Sequence, residues 1–197
     1  MKIVVISGTP GTGKTSVSKA ITEKIGGNAI SLNEISVSKR FTLQYDEKRS
    51  TYVVDFNQLL PYIISLINSY KKENLPFLII EGHFSDIIPN KFIDYAIVLR
   101  CHPDELTRRL QMRDYDNKKI QENIQSEILG NSINYFIQKK IRSPLIEIDT
   151  TSLSIEELSQ IIIEIIVENK HIEQFTIGTI DWLEELFQKD RLNEFFT

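Results

Sequence analysis

Apolar residues occur in two rhythms. Short unbroken runs lie at 2–7 (KIVVIS), 28–32 (NAISL), 76–81 (PFLIIE), 95–100 (YAIVLR) and 145–149 (LIEID). They lack the in/out alternation of a half-exposed strand, which predicts strands buried on both faces. Between them the spacing is helical. The pattern predicts helices over 14–25, weakly over 33–40, and over 58–72 with Leu59, Ile63, Leu66 and Ile67 on one face and Pro61 in the first turn. Pro103 opens a helix running to about Met112, DYDN at 114–117 is a turn, and 118–141 reads as one long helix. Ser154 and Glu157 form a capping box ahead of an Ile-rich helix, and a last helix follows Thr179. Residues 41–56 read only as a polar stretch with aromatics. Strands alternating with helices predict an α/β fold, a parallel sheet covered on both faces.

The 197 residues suit one α/β domain with an elaboration, and 41% hydrophobic with 25% charged residues fits a packed core. Cys101 is the single cysteine, so no internal disulfide forms, no zinc-site spacing exists, and a reducing, cytoplasmic setting is expected. The apolar run near the N-terminus is too short for a secretory signal or a span, and Glu164 interrupts the run at 161–167. No membrane association is expected. The net charge of −4 is uneven: 147–197 carries −9, 100–142 carries +3 and the first 99 residues +2. An acidic end and no broadly basic face argue against sequence-specific nucleic-acid binding and toward solvent or a basic partner.

One segment carries specific chemistry. Gly8-Thr9-Pro10-Gly11-Thr12-Gly13-Lys14-Thr15 matches G-x-x-x-x-G-K-[ST] at every fixed position, after a predicted strand and opening a predicted helix. Gly8, Gly11 and Gly13 let the backbone curl so that N–H groups face phosphate oxygens, and the helix N-terminus adds its dipole. ATP with Mg²⁺ is the implied ligand. Lys14, expected on an exposed loop, reaches the β- and γ-phosphates; Thr15 offers its hydroxyl to Mg²⁺; Ser16 is placed for the α-phosphate.

A second acidic group near Mg²⁺ is expected at the end of another buried strand, and Glu81 ends 76–81. His83, two residues on at the carboxyl edge of the sheet, is a candidate for orienting a water or an acceptor phosphate. Arg109 and Arg113, four apart on one helix face, are candidates for closing over the transferred phosphoryl group, with Arg108 facing solvent.

GTPGTGKTS, IIEGHFSDIIP and VLRCHPDELTRRLQMRDYDNKKIQENIQSEIL together resemble the adenylate kinase 6 family, over about residues 1–165. The resemblance implies a P-loop kinase with a five-stranded parallel sheet flanked by helices. It also implies an AMP-side segment near 31–55, a short lid near 112–122, and a kinase domain spanning 1–169. By position it assigns Gly11, Gly13, Lys14, Thr15, Ser16 and Arg113 to ATP, and Glu81 and His83 to the family's acid-x-His element. Val37 stands where the family often has an arginine for the AMP phosphate, with Lys39 and Arg40 nearby.

Three functions follow. One is transfer from ATP to AMP, giving two ADP, with water as a poor alternative acceptor. Another is an ATPase switch that binds and releases a basic small-subunit ribosomal protein within the pre-ribosome, the partner the resemblance implies. The third, a kinase for another small metabolite, is disfavoured by EGHFSD. The acidic helical extension, 170–197, spaces Trp182/Leu186, Leu183/Phe187 and Leu192/Phe196 by four, which suits a helix folded onto its own domain or docking a partner.

Overall fold

The computed structural model describes residues 1–47 and 51–196. Residues 48–50, within the expected AMP-side segment, lie outside the described residues.

Five strands form one parallel sheet: β1 (Lys2–Gly8), β2 (Asn28–Ser31), β5 (Phe77–Glu81), β6 (Tyr95–Arg100) and β7 (Leu145–Asp149), in the order β2-β5-β1-β6-β7. The unbroken apolar runs serve both faces. Ile3 and Val5 of β1 point to one side, with Leu59, Ile63 and Ile67 of α3 (Phe56–Lys72) and with Phe136 of α6 (Asn131–Gln138). Val4 and Ile6 point to the other, with Val17 and Ile21 of α1 (Lys14–Ile25) and with Ile162 and Ile166 of α7 (Ile155–Glu168). The expected capping box is formed at the start of α7, where Ser154 and Glu157 each satisfy the other's backbone N–H.

Four local expectations change. Residues 41–56 contain a hairpin, β3 (Thr42–Asp46) with β4 (Thr51–Val54), holding the rings of Tyr45 and Tyr52 at 5.0 Å. The preceding helix, α2, spans Leu32–Ser38. Helix α3 begins at Phe56 because the Asp55 carboxylate caps it, accepting from Asn57 N and Gln58 N, so Pro61 lies inside the helix on an exposed face. The long helix expected over 118–141 is two, α5 (Asn117–Ile128) and α6, broken at Gly130. Gly130 takes φ 62°, and the break leaves the Glu127 carbonyl to accept from the Arg100 guanidinium at 2.9 Å.

The C-terminal segment packs on the chain's own domain. Its helix, α8, covers only Trp182–Gln188, and a 3₁₀ turn follows over Leu192–Glu194. Trp182 and Leu186 close a third apolar cluster with Cys101, Leu106, Leu110, Ile120, Ile124 and Ile128. Arg191 grips Asp104 of α4 (Pro103–Gln111) through two parallel bonds of 2.9 and 2.8 Å. Of the other two spaced pairs, Leu183 and Phe187 face outward, while Leu192 packs against the cluster and Phe196 is exposed. Burial pushes the Cys101 thiol up to about 12, leaving it a core hydrophobe.

Candidate functional site

Loop 8–13 links β1 to α1 at the carboxyl edge of the sheet. Gly8 takes φ 141°, and a Cβ there would stand 2.4 Å from the Leu99 carbonyl oxygen of the neighbouring strand, so only glycine lets the chain turn this close to β6. Gly13 sits at the N-cap of α1 with no side-chain cap, leaving first-turn N–H groups free for an anion.

Lys14 is buried, not exposed as the loop pattern suggests. Its ammonium folds back to donate to the carbonyls of Gly8 (2.7 Å) and Thr9 (3.0 Å). Burial is the main cause that lowers its pKa to about 8; the Glu81 and Glu127 carboxylates oppose it and Arg113 adds to it.

The structure brings Thr15 and Glu81 together: the Thr15 hydroxyl donates to Glu81 Oε1 at 3.0 Å. Two hard oxygens at the mouth of a phosphate loop are a donor set that would suit Mg²⁺. Lys14, Thr15, Ser16, Glu81 and Arg113 line one cavity of about 250 Å³.

His83 lies on the rim of an adjoining cavity of about 290 Å³, with Thr9, Lys119, Glu122 and Asn123. The two cavities share Pro10, Asn33 and Tyr115. The His83 ring is accessible from the cleft, yet the cleft walls desolvate its charged form and the ammonium groups of Lys14 and Lys119 repel it, lowering its pKa to about 4. The neutral ring pairs with Asn33 Nδ2 at 3.2 Å through Nδ1. That pairing places the proton on Nε2, which is then a donor.

Arg109 is not in either cavity. Its guanidinium binds Glu105 at 2.8 Å and the carbonyls of Thr150 (2.7 Å) and Thr151 (3.2 Å), fastening α4 to the loop after β7. Only Arg113 of the expected pair reaches the phosphate loop, because α4 ends at Gln111 and the chain turns toward the cavity. Arg108 is solvent-exposed, as expected, and paired with Glu105.

Sequence reasoning missed Asn33, Tyr115 and Glu127. Glu127 falls on the same helix face as the buried Ile120, Ile124 and Ile128, and a carboxylate in that phase was the available signal.

A nucleotide-sized pocket over a glycine loop, at the edge of a five-stranded parallel sheet, defines the P-loop kinase fold. Shikimate kinase from Acinetobacter baumannii, in complex with shikimate, shares that fold with a TM-score of 0.55 at 16% identity, over 87% of this chain and 96% of that one. The AAA domain family matches residues 4–130. A protein of Methanocaldococcus jannaschii named "Putative adenylate kinase" is 34% identical over 184 residues, covering 93% of this chain and 94% of that protein. A protein of Methanosarcina acetivorans with the same name is 32% identical over 192 residues, covering 93% and 99%. The chain belongs to the AAA domain family and to the family of these archaeal proteins.

Proposed function

We propose that the chain is an adenylate kinase of the adenylate kinase 6 group, a phosphotransferase that moves the γ-phosphoryl group of ATP to AMP and yields two ADP. Water serves as a slow alternative acceptor, which gives a basal ATPase activity. The observation that carries this reading is the pair of adjoining cavities sharing Pro10, Asn33 and Tyr115. One is built for a polyphosphate, and the other is a polar cleft beside it where an acceptor meets the γ-phosphate.

In this reading the loop N–H groups cradle the β- and γ-phosphates. Lys14 leaves the Gly8 and Thr9 carbonyls to neutralise them, and Arg113 closes from the lid side. Thr15 and Glu81 would hold Mg²⁺, which when bound would neutralise phosphate charge. His83, neutral and donating from Nε2, orients the acceptor phosphate or a water. Arg109 acts at a distance, holding α4 in place.

The test is product analysis with [γ-³²P]ATP, with and without AMP. Label recovered in ADP supports the kinase. Free phosphate alone, unchanged by AMP, overturns it in favour of an ATPase.

A second reading, a cytoplasmic role in small ribosomal subunit maturation through a basic ribosomal protein, rests on the acidic C-terminal segment and the outward Leu183 and Phe187. Pull-down of candidate basic small-subunit proteins by wild type and by Leu183→Ala/Phe187→Ala, at low and high salt, tests it. Equal capture by both forms removes that surface from consideration.

A further inference from the structure

A buried ionisable group bonded through both its oxygens, outside the proposed transfer chemistry, is Glu127 on α5. It is 1% exposed. Its Oε1 accepts from Arg100 Nε at 2.7 Å and from Cys101 N at 3.1 Å, and its Oε2 accepts from the Thr9 hydroxyl at 2.5 Å. Arg100, at the end of β6, also pairs with Glu147 of β7, whose second oxygen accepts from Gly178 N at 3.0 Å. The carboxylate is therefore held by the sheet as well as by its own helix.

We propose that Glu127 is a positioning residue for the phosphate loop, acting through Thr9. Thr9 occupies a position the loop pattern leaves open, so the pattern itself does not call for a hydroxyl there. The residue is 2% exposed, and its hydroxyl donates to Glu127. Its carbonyl is the knot of the loop, accepting from Thr12 N (3.3 Å), Thr12 Oγ1 (2.9 Å) and Lys14 Nζ (3.0 Å).

A phosphate loop must aim several N–H groups at one point before any anion arrives, and those dipoles repel one another. A restraint from behind keeps that shape. When Lys14 turns to the nucleotide, the Thr9 carbonyl keeps only its two Thr12 donors, and the bond to Glu127 holds the residue through its side chain as well. If the Glu127–Arg100–Glu147 cluster only fastened α5 to the sheet, Thr9 could lose its hydroxyl without consequence for nucleotide binding.

The inference rests on reading loop 8–13 as a nucleotide site. The experiment measures MgATP affinity by calorimetry without any acceptor, then kcat and KM, for wild type, Thr9→Val, Thr9→Ser, Glu127→Gln and the Thr9→Val/Glu127→Gln double variant. Thr9→Val, which keeps the shape and removes the hydroxyl, is expected to bind MgATP about tenfold more weakly, as fits one hydrogen bond to a charged group, and to melt somewhat lower because the buried Glu127 carboxylate loses that donor. Thr9→Ser restores affinity to within about threefold. The double variant binds no more weakly than the weaker single one, because both substitutions break the same link. Wild-type affinity in Thr9→Val, a Thr9→Ser as weak as Thr9→Val, or additive losses overturns the proposal while leaving the nucleotide site standing. A wild-type chain that does not bind MgATP overturns both. If Glu127→Gln fails to fold, the valine and serine variants still decide.

Discussion

Thr15, in the first turn of α1, donates its hydroxyl to Glu81, the last residue of β5, at 3.0 Å across 66 positions of chain. The sheet makes this meeting possible, since β1 and β5 are neighbours in register and Ile6 stands opposite Glu81.

Glu81→Gln keeps the shape and removes the charge that a divalent cation needs. Turnover is expected to fall by roughly 10²-fold or more with any acceptor, and the Mg²⁺ concentration for half-maximal rate is expected to rise. A magnesium titration of the initial rate checks this. An unchanged magnesium dependence would remove Glu81 from the metal site.

Lys14→Ala removes the ammonium that the Gly8 and Thr9 carbonyls hold. The expected loss in kcat/KM is roughly 10²–10³-fold, as for other preorganised charge contacts in transfer reactions. The cost in stability is small, because the two carbonyls released can turn to water in the open cavity. Steady-state kinetics beside thermal melts measure both; activity within a few-fold of wild type would sink the phosphate-loop assignment.

His83 has a folded-state pKa of about 4, below the ordinary value of 6.5. The folded chain therefore binds this proton less readily than the unfolded chain. The sign follows: the contribution to stability is complete above pH 6.5 and is lost as pH falls through about 4. His83→Ala should flatten the melting-temperature profile between those limits. It should also reduce turnover with AMP more than it reduces ATP affinity. A variant profile parallel to wild type across that range would mean that the ring titrates normally.

Trp182 and Leu186 close the cluster over Cys101, Leu106 and Leu110. Leu186→Ala should cost about 2–5 kcal/mol and Trp182→Ala about 3–5 kcal/mol, read by urea unfolding. Removing residues 171–197 uncovers that cluster, so the truncated chain is expected to melt well below the full chain or to aggregate. A truncation with the full-length melting temperature would show that the segment contributes nothing to the core.

The loop pattern and the buried strand runs were legible in the sequence because each is a local code. A glycine loop between a strand and a helix needs only adjacent residues, and a run of apolar positions needs only its own length. The pairing of Ser154 with Glu157 was legible for the same reason. Acidic Glu81 at the end of β5 was found because a carboxylate closing an apolar run is itself a local anomaly.

The tertiary structure decided the rest. Arg109 and Arg113 share a helical spacing, yet only the chain's turn after Gln111 determines that Arg113 enters the cavity while Arg109 ties down Thr150 and Thr151. Periodicity continued through 118–141, but the demand of buried Arg100 for the Glu127 carbonyl, and the freedom of Gly130 to take φ 62°, divide it into two helices. Thr9 and Glu127 lie 118 residues apart. Their bond depends on how α5 packs against the end of the sheet, a consequence of burying apolar faces that no local window of sequence contains.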